Sequence, residues 1–328
     1  MFKLIEWLKQ CHLVKKSSNN SNKSIEMDKI FYNQASAAKL GWEPSWFGSD
    51  EFDEELVNNI KKWQRRNKVT ADGLCGPTTY RRIWTERESK ISEVARPAGD
   101  TDMYSDVIVH NGHGFHIEWD KVVLWDQPHG LECKPGTYTS YAGRPDRKPS
   151  FFVNHWDVCL SASSCARVLE KRGISVHFCI DNDGTIYQLM DTQHAAWQAG
   201  GRNWNNRSIG VEISNAYYTK YQNWYVKNGH GERPVVSDVK CHGRKLETHL
   251  DFYPVQLEAL KALWVAVNNA TGIPLECPTD SSGKLVEGVD KRCERGEFEG
   301  FVNHYNLTRR KIDCAGLDLK SLLEECSS

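Results

Sequence analysis

The sequence lacks several features that would place it in a broad class at once. It has no run of 18 apolar residues, so nothing in it predicts a transmembrane helix. Basic residues are not in excess, with 42 Lys and Arg against 43 Asp and Glu in 328 residues. That balance argues against a nucleic-acid partner, because phosphate binding requires clustered cations. The eleven cysteines include no Cys-x-x-Cys pair, which excludes a zinc ribbon.

The first residues also lack the pattern of a Sec signal peptide. Glu6 and Lys9 interrupt what would be its apolar core, and no small-residue cleavage site follows. Apolar residues at helical spacing in 1–16 leave two interpretations open, a weak amphipathic helix at a membrane surface or a frayed leader. The polar stretch 17–24 predicts a linker. We therefore treat 1–26 as leader and linker.

Residues 27–90 predict a small domain of three helices. Asp53 is placed to cap a helix whose apolar residues repeat at helical spacing. Asp72 and Gly73 predict a turn, and Pro77 suits the first position of the next helix.

The second half of this segment contains a recognisable motif. Gln64 lies on the predicted helix, and Asp72, Gly73, Gly76 and Thr79 follow in the pattern D-G-x-x-G-x-x-T. This arrangement resembles the three-helix peptidoglycan-binding domain found at the ends of cell-wall hydrolases. The resemblance implies that the N-terminal domain binds the bacterial wall.

The rest of the chain predicts a linker with a short β extension, 91–149, and then an α/β domain, 150–328. Within the α/β domain, a helix is bounded by Ser161 and Gly173, and the hairpin strands of 174–190 surround an Asn-Asp-Gly turn. We expect a mixed central β-sheet flanked by helices.

The tetrapeptide Phe-Val-Asn-His occurs twice, at 152–155 and 301–304. The flanking sequences differ and no other segment repeats, so the two copies do not indicate a duplication. Two apolar strands of one sheet can bring their terminal histidines to one point. His155 and His304 are therefore candidate ligands of one metal ion, with Asp313 or Cys314 as a third.

A zinc hydrolase needs three protein ligands and an open position for water, whose pKa the ion lowers to about 7. Such an enzyme also needs a general base. Glu212 lies in the apolar segment SIGVEIS, where an unpaired carboxylate is costly and therefore suggests a function. Lys311 would place a cation near a developing oxyanion.

Six segments follow one another in the order of a known family. They are FVNH (152–155), SVHFCIDNDGTIYQ (175–188), AWQAG (196–200), NNRSIGVE (205–212), NH (303–304) and KIDCAG (311–316). In these segments the chain resembles the zinc-dependent N-acetylmuramoyl-L-alanine amidases of type 2, a family related to peptidoglycan recognition proteins and phage lysozyme-like amidases. The resemblance implies zinc bound by His155, His304 and Asp313, with Glu212 as base and Lys311 as oxyanion stabiliser.

The chain departs from the family pattern at three places. Gln198 stands where the family has histidine, Cys314 stands where it has proline, and 273–300 is a long insertion. Trp197, Gln198 and Asn205 are candidate substrate contacts. Trp197 could instead lie in the core, and Asn205 could instead brace its loop.

Other residues that suggest chemistry have simpler interpretations. His177 lies in the predicted hairpin, where we expect a structural role. The histidines of 110–116 resemble a metal cluster but lack a carboxylate at ligand spacing. Cys159 and Cys165 are close enough in sequence for a disulfide bond, although two reduced thiols are the favoured interpretation.

The family resemblance implies an enzyme that cleaves the amide bond between N-acetylmuramic acid and L-alanine. Peptidoglycan is the expected partner, and we expect a monomer. With a wall-binding domain and no Sec signal, the chain resembles a phage endolysin, held in the host cytoplasm until it reaches the wall. The alternatives are a bacterial autolysin, a recycling amidase acting on soluble fragments, and a peptidoglycan receptor without catalysis.

Overall fold

The fold was analysed in a computed structural model, which describes residues 28–90, 104–144 and 146–327. The predicted leader and linker, 1–26, lie outside the described residues, as does most of the predicted charged linker that follows residue 90. The chain divides into two compact units between Thr79 and Tyr80. This division falls inside the segment 27–90, whose extent as a domain stays a prediction.

The first unit is helical. Its elements are α1 (Lys29–Leu40), a 3-10 turn (Pro44–Phe47), α2 (Glu54–Arg66) and the start of α3 (Pro77–Glu88). The Asp53 side chain caps α2 by accepting a hydrogen bond from the Leu56 N–H at 2.8 Å.

The motif residues of the first unit form one hydrogen-bond network around Gln64. The Gln64 Oε1 accepts from the Gly73 N–H at 2.8 Å. Its Nε2 lies 2.9 Å from Asp72 Oδ1, 3.1 Å from Thr79 Oγ1 and 3.1 Å from the Leu74 carbonyl. A single buried amide thus holds the turn between α2 and α3, which explains the spacing of the motif.

The second unit is built on a six-stranded sheet of order β14-β5-β9-β6-β7-β3. The strands are β3 (Val122–Leu124), β5 (Phe151–Trp156), β6 (Phe178–Ile180), β7 (Ile186–Gln188), β9 (Ser208–Ile213) and β14 (Gly300–Asn303). Only β6 and β7 pair antiparallel, and the other neighbours are parallel. The predicted mixed α/β class is confirmed.

The described residues also form four small strand pairs. They are β1 (Val107–His110) with β2 (His113–His116), β4 (Tyr138–Thr139) with β8 (Ala195–Ala196), β10 (Val235–Val236) with β13 (His249–Leu250), and β11 (Lys240–Cys241) with β12 (Arg244–Lys245).

Helices cover both faces of the sheet. They are α4 (Ala162–Arg172), α5 (Arg202–Arg207), α6 (Gln222–Lys227), α7 (Pro254–Thr271), α8 (Lys291–Arg295), α9 (His304–Leu307) and α10 (Leu319–Cys326). Ser161 caps the start of α4, and Gly173 ends it with a left-handed φ of 67°. Every helix among the described residues is too short or too polar to cross a membrane.

Along β5 and β9 the side chains alternate between the two faces of the sheet. One face is hydrophobic, and the other carries polar candidate residues of the site. Phe152, Ile209 and Val211 pack with residues of α7 in the main core. On the opposite face lie His155 and Glu212, because successive side chains of a strand point to opposite sides.

The two copies of Phe-Val-Asn-His are neighbours in space. β14 and β5 pair in parallel, with Phe301 opposite Phe152, and Asn303 opposite Asn154. The copies are therefore in register along one sheet. The strand ends at Asn303, and His304 begins α9, so the strand-like segment expected around His304 is shorter than predicted.

The predicted β extension contributes to the second unit. Val122 lies in the main core, and β3 adds an edge strand to the sheet. Residues of α3 past Thr79 also pack on this unit. Thr85 Oγ1 donates to the Val158 carbonyl at 2.9 Å. The Glu88 carboxylate accepts a hydrogen bond from Ser164 Oγ and lies 3.0 Å from Arg167.

Candidate functional site

Three side chains converge where β5 and β14 end. His155 lies on β5, His304 is the first residue of α9, and Asp313 lies in the following loop. The His155 Nδ1 is 2.9 Å from the His304 Nδ1 and 2.9 Å from Asp313 Oδ2. The His304 Nδ1 is 3.0 Å from the same carboxylate oxygen. All three residues are buried.

This arrangement is a donor set suited to a metal ion. Two imidazole nitrogens and a carboxylate oxygen point at one position, and a neutral imidazole presents a lone pair there. Three lone pairs at this separation repel one another unless a cation lies between them. Cys314, the alternative third ligand, packs in the apolar core and is not part of the group.

The pKa shifts of the three converging groups bear on their ability to bind a metal ion. Burial lowers the pKa of His304 to about 4, so the imidazole is neutral at pH 7. Burial alone would raise the pKa of Asp313, but its interactions with His304, Lys311 and His155 hold it well below its usual range. The pKa of His155 is raised instead: burial lowers it, but the charge of Glu212 and the hydrogen bond and charge of Asp313 outweigh burial. Neutral histidines and an ionised carboxylate are the forms that bind metal ions, so a metal ion at this position would displace a proton from His155.

Glu212 lies beside the three converging groups. It is the register partner of His155 in the neighbouring parallel strand. Its Oε2 is buried and has no hydrogen-bond partner among the described residues. Burial raises the pKa of Glu212, while the His155 charge opposes that shift. A buried carboxylate with one unpaired oxygen is poised to accept a proton.

Lys311 belongs to the same loop as Asp313. Its backbone carbonyl accepts a hydrogen bond from His242 Nε2 at 2.8 Å. Its charge lowers the pKa values of Asp313 and Glu212. The structure therefore brings together all five residues predicted for metal binding and catalysis.

The three predicted substrate contacts lie around one turn after β8. Trp197 is half-buried, and its Nε1 donates to Thr139 Oγ1 at 3.0 Å. Asn205 Oδ1 accepts from the backbone N–H groups of Gln198 at 3.2 Å and Ala199 at 2.8 Å. Asn205 therefore braces the loop, which was one of its two interpretations.

Gln198 is half-buried, and both ends of its side-chain amide are bonded within the protein. Its Oε1 forms a short hydrogen bond with His155 Nε2, and its Nε2 donates to Ser208 Oγ at 2.9 Å. Gly210 lies directly below, and a Cβ there would come within 2.2 Å of the Gln198 Oε1.

Sequence reasoning missed Gly210 and His242. A glycine inside an apolar strand often marks a close approach by another group, so Gly210 carried a usable signal. His242 carried none, because it lies in the β11–β12 hairpin, and its contact with the Lys311 carbonyl depends on tertiary structure.

The remaining candidates have other surroundings. His177 is fully buried, with Nε2 2.9 Å from the His194 carbonyl and Nδ1 accepting from the Gly210 N–H at 3.1 Å. Cys159 and Cys165 are free thiols. The histidines of 110–116 lie on the β1–β2 hairpin and belong to no potential metal-binding group among the described residues.

Comparison with known proteins agrees with the fold. Residues 145–310, half of the chain, match the family described as N-acetylmuramoyl-L-alanine amidase. The chain belongs to the N-acetylmuramoyl-L-alanine amidase family. No curated protein sequence matches it significantly.

Solved structures with similar folds are distant. A mutant endolysin from Bacillus subtilis is 18% identical, over 63% of this chain and 98% of that one, with a TM-score of 0.33. AmpDh3 from Pseudomonas aeruginosa, in complex with anhydromuramic pentapeptide, is 19% identical. The match covers 60% of this chain and 66% of that one, with a TM-score of 0.36. The Drosophila peptidoglycan recognition protein SA is 16% identical, over 56% of this chain and 80% of that one, with a TM-score of 0.28.

Proposed function

We propose that the protein is a zinc-dependent hydrolase of the amide bond between N-acetylmuramic acid and L-alanine in peptidoglycan. The observation that carries the proposal is the convergence of His155, His304 and Asp313 beside the unpaired carboxylate oxygen of Glu212. Two nitrogens and one oxygen are a donor set that zinc accepts.

Each residue of the site has a distinct task in this reaction. His155, His304 and Asp313 would hold the zinc ion, which supplies Lewis acidity to the scissile carbonyl and to water. Glu212 accepts a proton from the attacking water and passes it to the leaving amine of L-alanine. Lys311 offers positive charge to the oxyanion that develops on the carbonyl oxygen.

The first experiment measures release of new L-alanine amino termini from purified peptidoglycan, with and without a chelator, together with zinc content. We expect amine release that the chelator abolishes and added zinc restores, without new reducing sugar ends. Wall binding without amine release by a zinc-loaded protein would instead support a non-catalytic receptor. New reducing ends would indicate cleavage of the glycan strand.

We also infer that the enzyme acts on the intact wall. The N-terminal unit supports this inference, because its Gln64 network holds the turn of a motif typical of peptidoglycan-binding domains. A second binding unit keeps an enzyme at an insoluble polymer and raises its effective concentration there. A recycling amidase acting on soluble fragments gains nothing from such a unit.

A more specific form of this proposal is that the protein acts as an endolysin. Two assays separate it from the alternatives. The rate on intact wall is compared with the rate on soluble muropeptides, and higher activity on soluble fragments would favour a recycling amidase. The protein is then produced in a bacterial cytoplasm, where we expect lysis only after the membrane is permeabilised. Lysis without permeabilisation would indicate export, as for an autolysin.

A further inference from the structure

The outer nitrogens of the two site histidines have different surroundings. His155 Nε2 forms a short hydrogen bond with the Gln198 Oε1. His304 Nε2 is buried, yet no described residue offers it a hydrogen-bond partner. Gln198 therefore provides an acceptor to one histidine of the pair.

An acceptor of this kind favours metal binding by a histidine. A histidine that binds a metal ion is neutral, with a lone pair on the binding nitrogen and the proton on the other. The Nδ1 of His155 faces His304 and Asp313, so Nδ1 is the binding atom and Nε2 carries the proton. A buried N–H without an acceptor is destabilising, and the Gln198 carbonyl oxygen provides the acceptor.

Three neighbours fix the Gln198 amide in this orientation. Its Nε2 donates to Ser208 Oγ at 2.9 Å, so its oxygen is the atom turned toward His155. Its backbone N–H is held by Asn205 Oδ1 at 3.2 Å. The absence of a side chain at Gly210 leaves the space that the amide fills, since a Cβ would lie 2.2 Å from Oε1.

We propose that Gln198 is a positioning residue, which fixes the tautomer and orientation of His155 for zinc binding, and that it is not a contact to substrate. Both ends of its amide are already engaged within the protein, by His155 and by Ser208. The inference rests on the proposed zinc-dependent function and assigns this residue a part in it.

The test is the zinc affinity of the full-length protein, measured by competition with a chromophoric chelator. We expect Gln198→Ala to weaken zinc binding by about 10–100-fold, the usual loss when the acceptor behind a metal-binding histidine is removed. Gln198→Glu keeps an oxygen acceptor at the same reach, so its affinity should stay within about threefold of wild type or rise.

A second variant displaces the amide without removing it. In Gly210→Ala the new methyl group collides with the end of the flexible Gln198 side chain, which can move aside. We expect zinc affinity to fall as in Gln198→Ala. Gln193→Ala is the matched control, because Gln193 is a buried glutamine of the same segment whose Nε2 donates to the Arg144 carbonyl at 3.1 Å. Its zinc affinity should not change.

The kinetics distinguish the two possible roles of Gln198. A positioning role predicts that Gln198→Ala recovers most of its kcat at saturating zinc, with little change in KM. Unchanged zinc affinity in both Gln198→Ala and Gly210→Ala, with a raised KM in Gln198→Ala, would overturn the inference and return Gln198 to the substrate contacts. A wild-type protein that binds no zinc would overturn the proposed function as well. If the zinc-loaded wild type releases amine, the proposed function stands, and a failed prediction for the Gln198 variants then counts against the Gln198 inference alone.

Discussion

Glu212 carries a carboxylate on β9. The residues on either side of it, Val211 and Ile213, are both buried in the main core. Its side chain lies on the other face of the sheet, beside His155. One of its oxygens is buried without a hydrogen-bond partner among the described residues, an arrangement that costs stability. A group kept at such a cost commonly serves catalysis, which is why the base role falls to Glu212.

The first prediction separates the base from the metal ligands. Glu212→Gln should retain zinc and lose about 10²–10⁴-fold in turnover, because the amide cannot accept the water proton. His304→Ala should lose both zinc and turnover. Zinc content by mass spectrometry and amine release are measured on the same samples. Equal loss of metal in the two variants would remove Glu212 from the role of base.

The identity of the third metal ligand, Asp313 or Cys314, can also be tested with single substitutions. Cys314 lies in the apolar core, so Cys314→Ser should cost about 1–3 kcal/mol in the free energy of unfolding yet keep zinc. Asp313→Ala should lose zinc, since one of three ligands is removed. Denaturant titration and zinc content are the measurements. A folded Cys314→Ser protein without zinc would reverse the assignment.

At the scale of elements, local signals identified the helices that begin and end on capping residues. Ser161 and Gly173 bound α4, as the sequence predicted, and Pro254 and Gly272 bound α7 in the same way. These signals act within one turn of helix, so they can be seen without knowing the rest of the fold.

Contacts between distant segments could not be predicted in the same way. The pairing of β3 with β7 joins the predicted extension to the sheet, and no local pattern specifies a strand's partner. The position of Gln198 against His155 likewise depends on how the turn after β8 packs on Gly210. The metal and catalytic residues could be identified because the family motifs encode them directly.

The packing of α3 gives a prediction at this scale. Glu88 is buried and bonds Ser164 and Arg167, whereas Glu86 is more exposed and pairs with Lys90 and Lys220. Glu88→Ala should lower the free energy of unfolding by about 1–3 kcal/mol, because the buried Ser164 hydroxyl loses the acceptor of its proton and keeps only the hydrogen bond that it accepts from Trp84 Nε1. Glu86→Ala, the control on the same helix, should cost at most about 1 kcal/mol. Denaturant unfolding measures both, and equal losses would mean that the contacts of Glu88 with Ser164 and Arg167 add no stability.

At the scale of the whole molecule, stability should depend on pH through His177. Burial lowers the pKa of this histidine to about 3, from an ordinary value of 6.5. Above pH 6.5 it is neutral in both the folded and the unfolded state and has no effect. Below pH 6.5 the unfolded chain binds a proton that the folded protein excludes, so stability falls as the pH falls toward 3.

The expected loss from this residue is about 2 kcal/mol between pH 7 and pH 5, from 1.4 kcal/mol per pKa unit. His177→Gln removes the titrating group. It should be less stable than wild type at pH 7, because two buried hydrogen bonds are disturbed. Its stability should nevertheless fall less between pH 7 and pH 5. Denaturant unfolding at both pH values tests this, and parallel pH dependences would exclude His177 as the cause.

The in-register pairing of β5 with β14 has a consequence for biosynthesis. His155 and His304 are separated by 149 positions in sequence, and β14 is the last strand of the sheet. β5 lacks its partner at this edge until the ribosome has made residues 300–303, and the three candidate metal ligands cannot converge until residue 313 has also been made. The candidate site is therefore absent from shorter nascent chains and assembles only once β14 docks on β5.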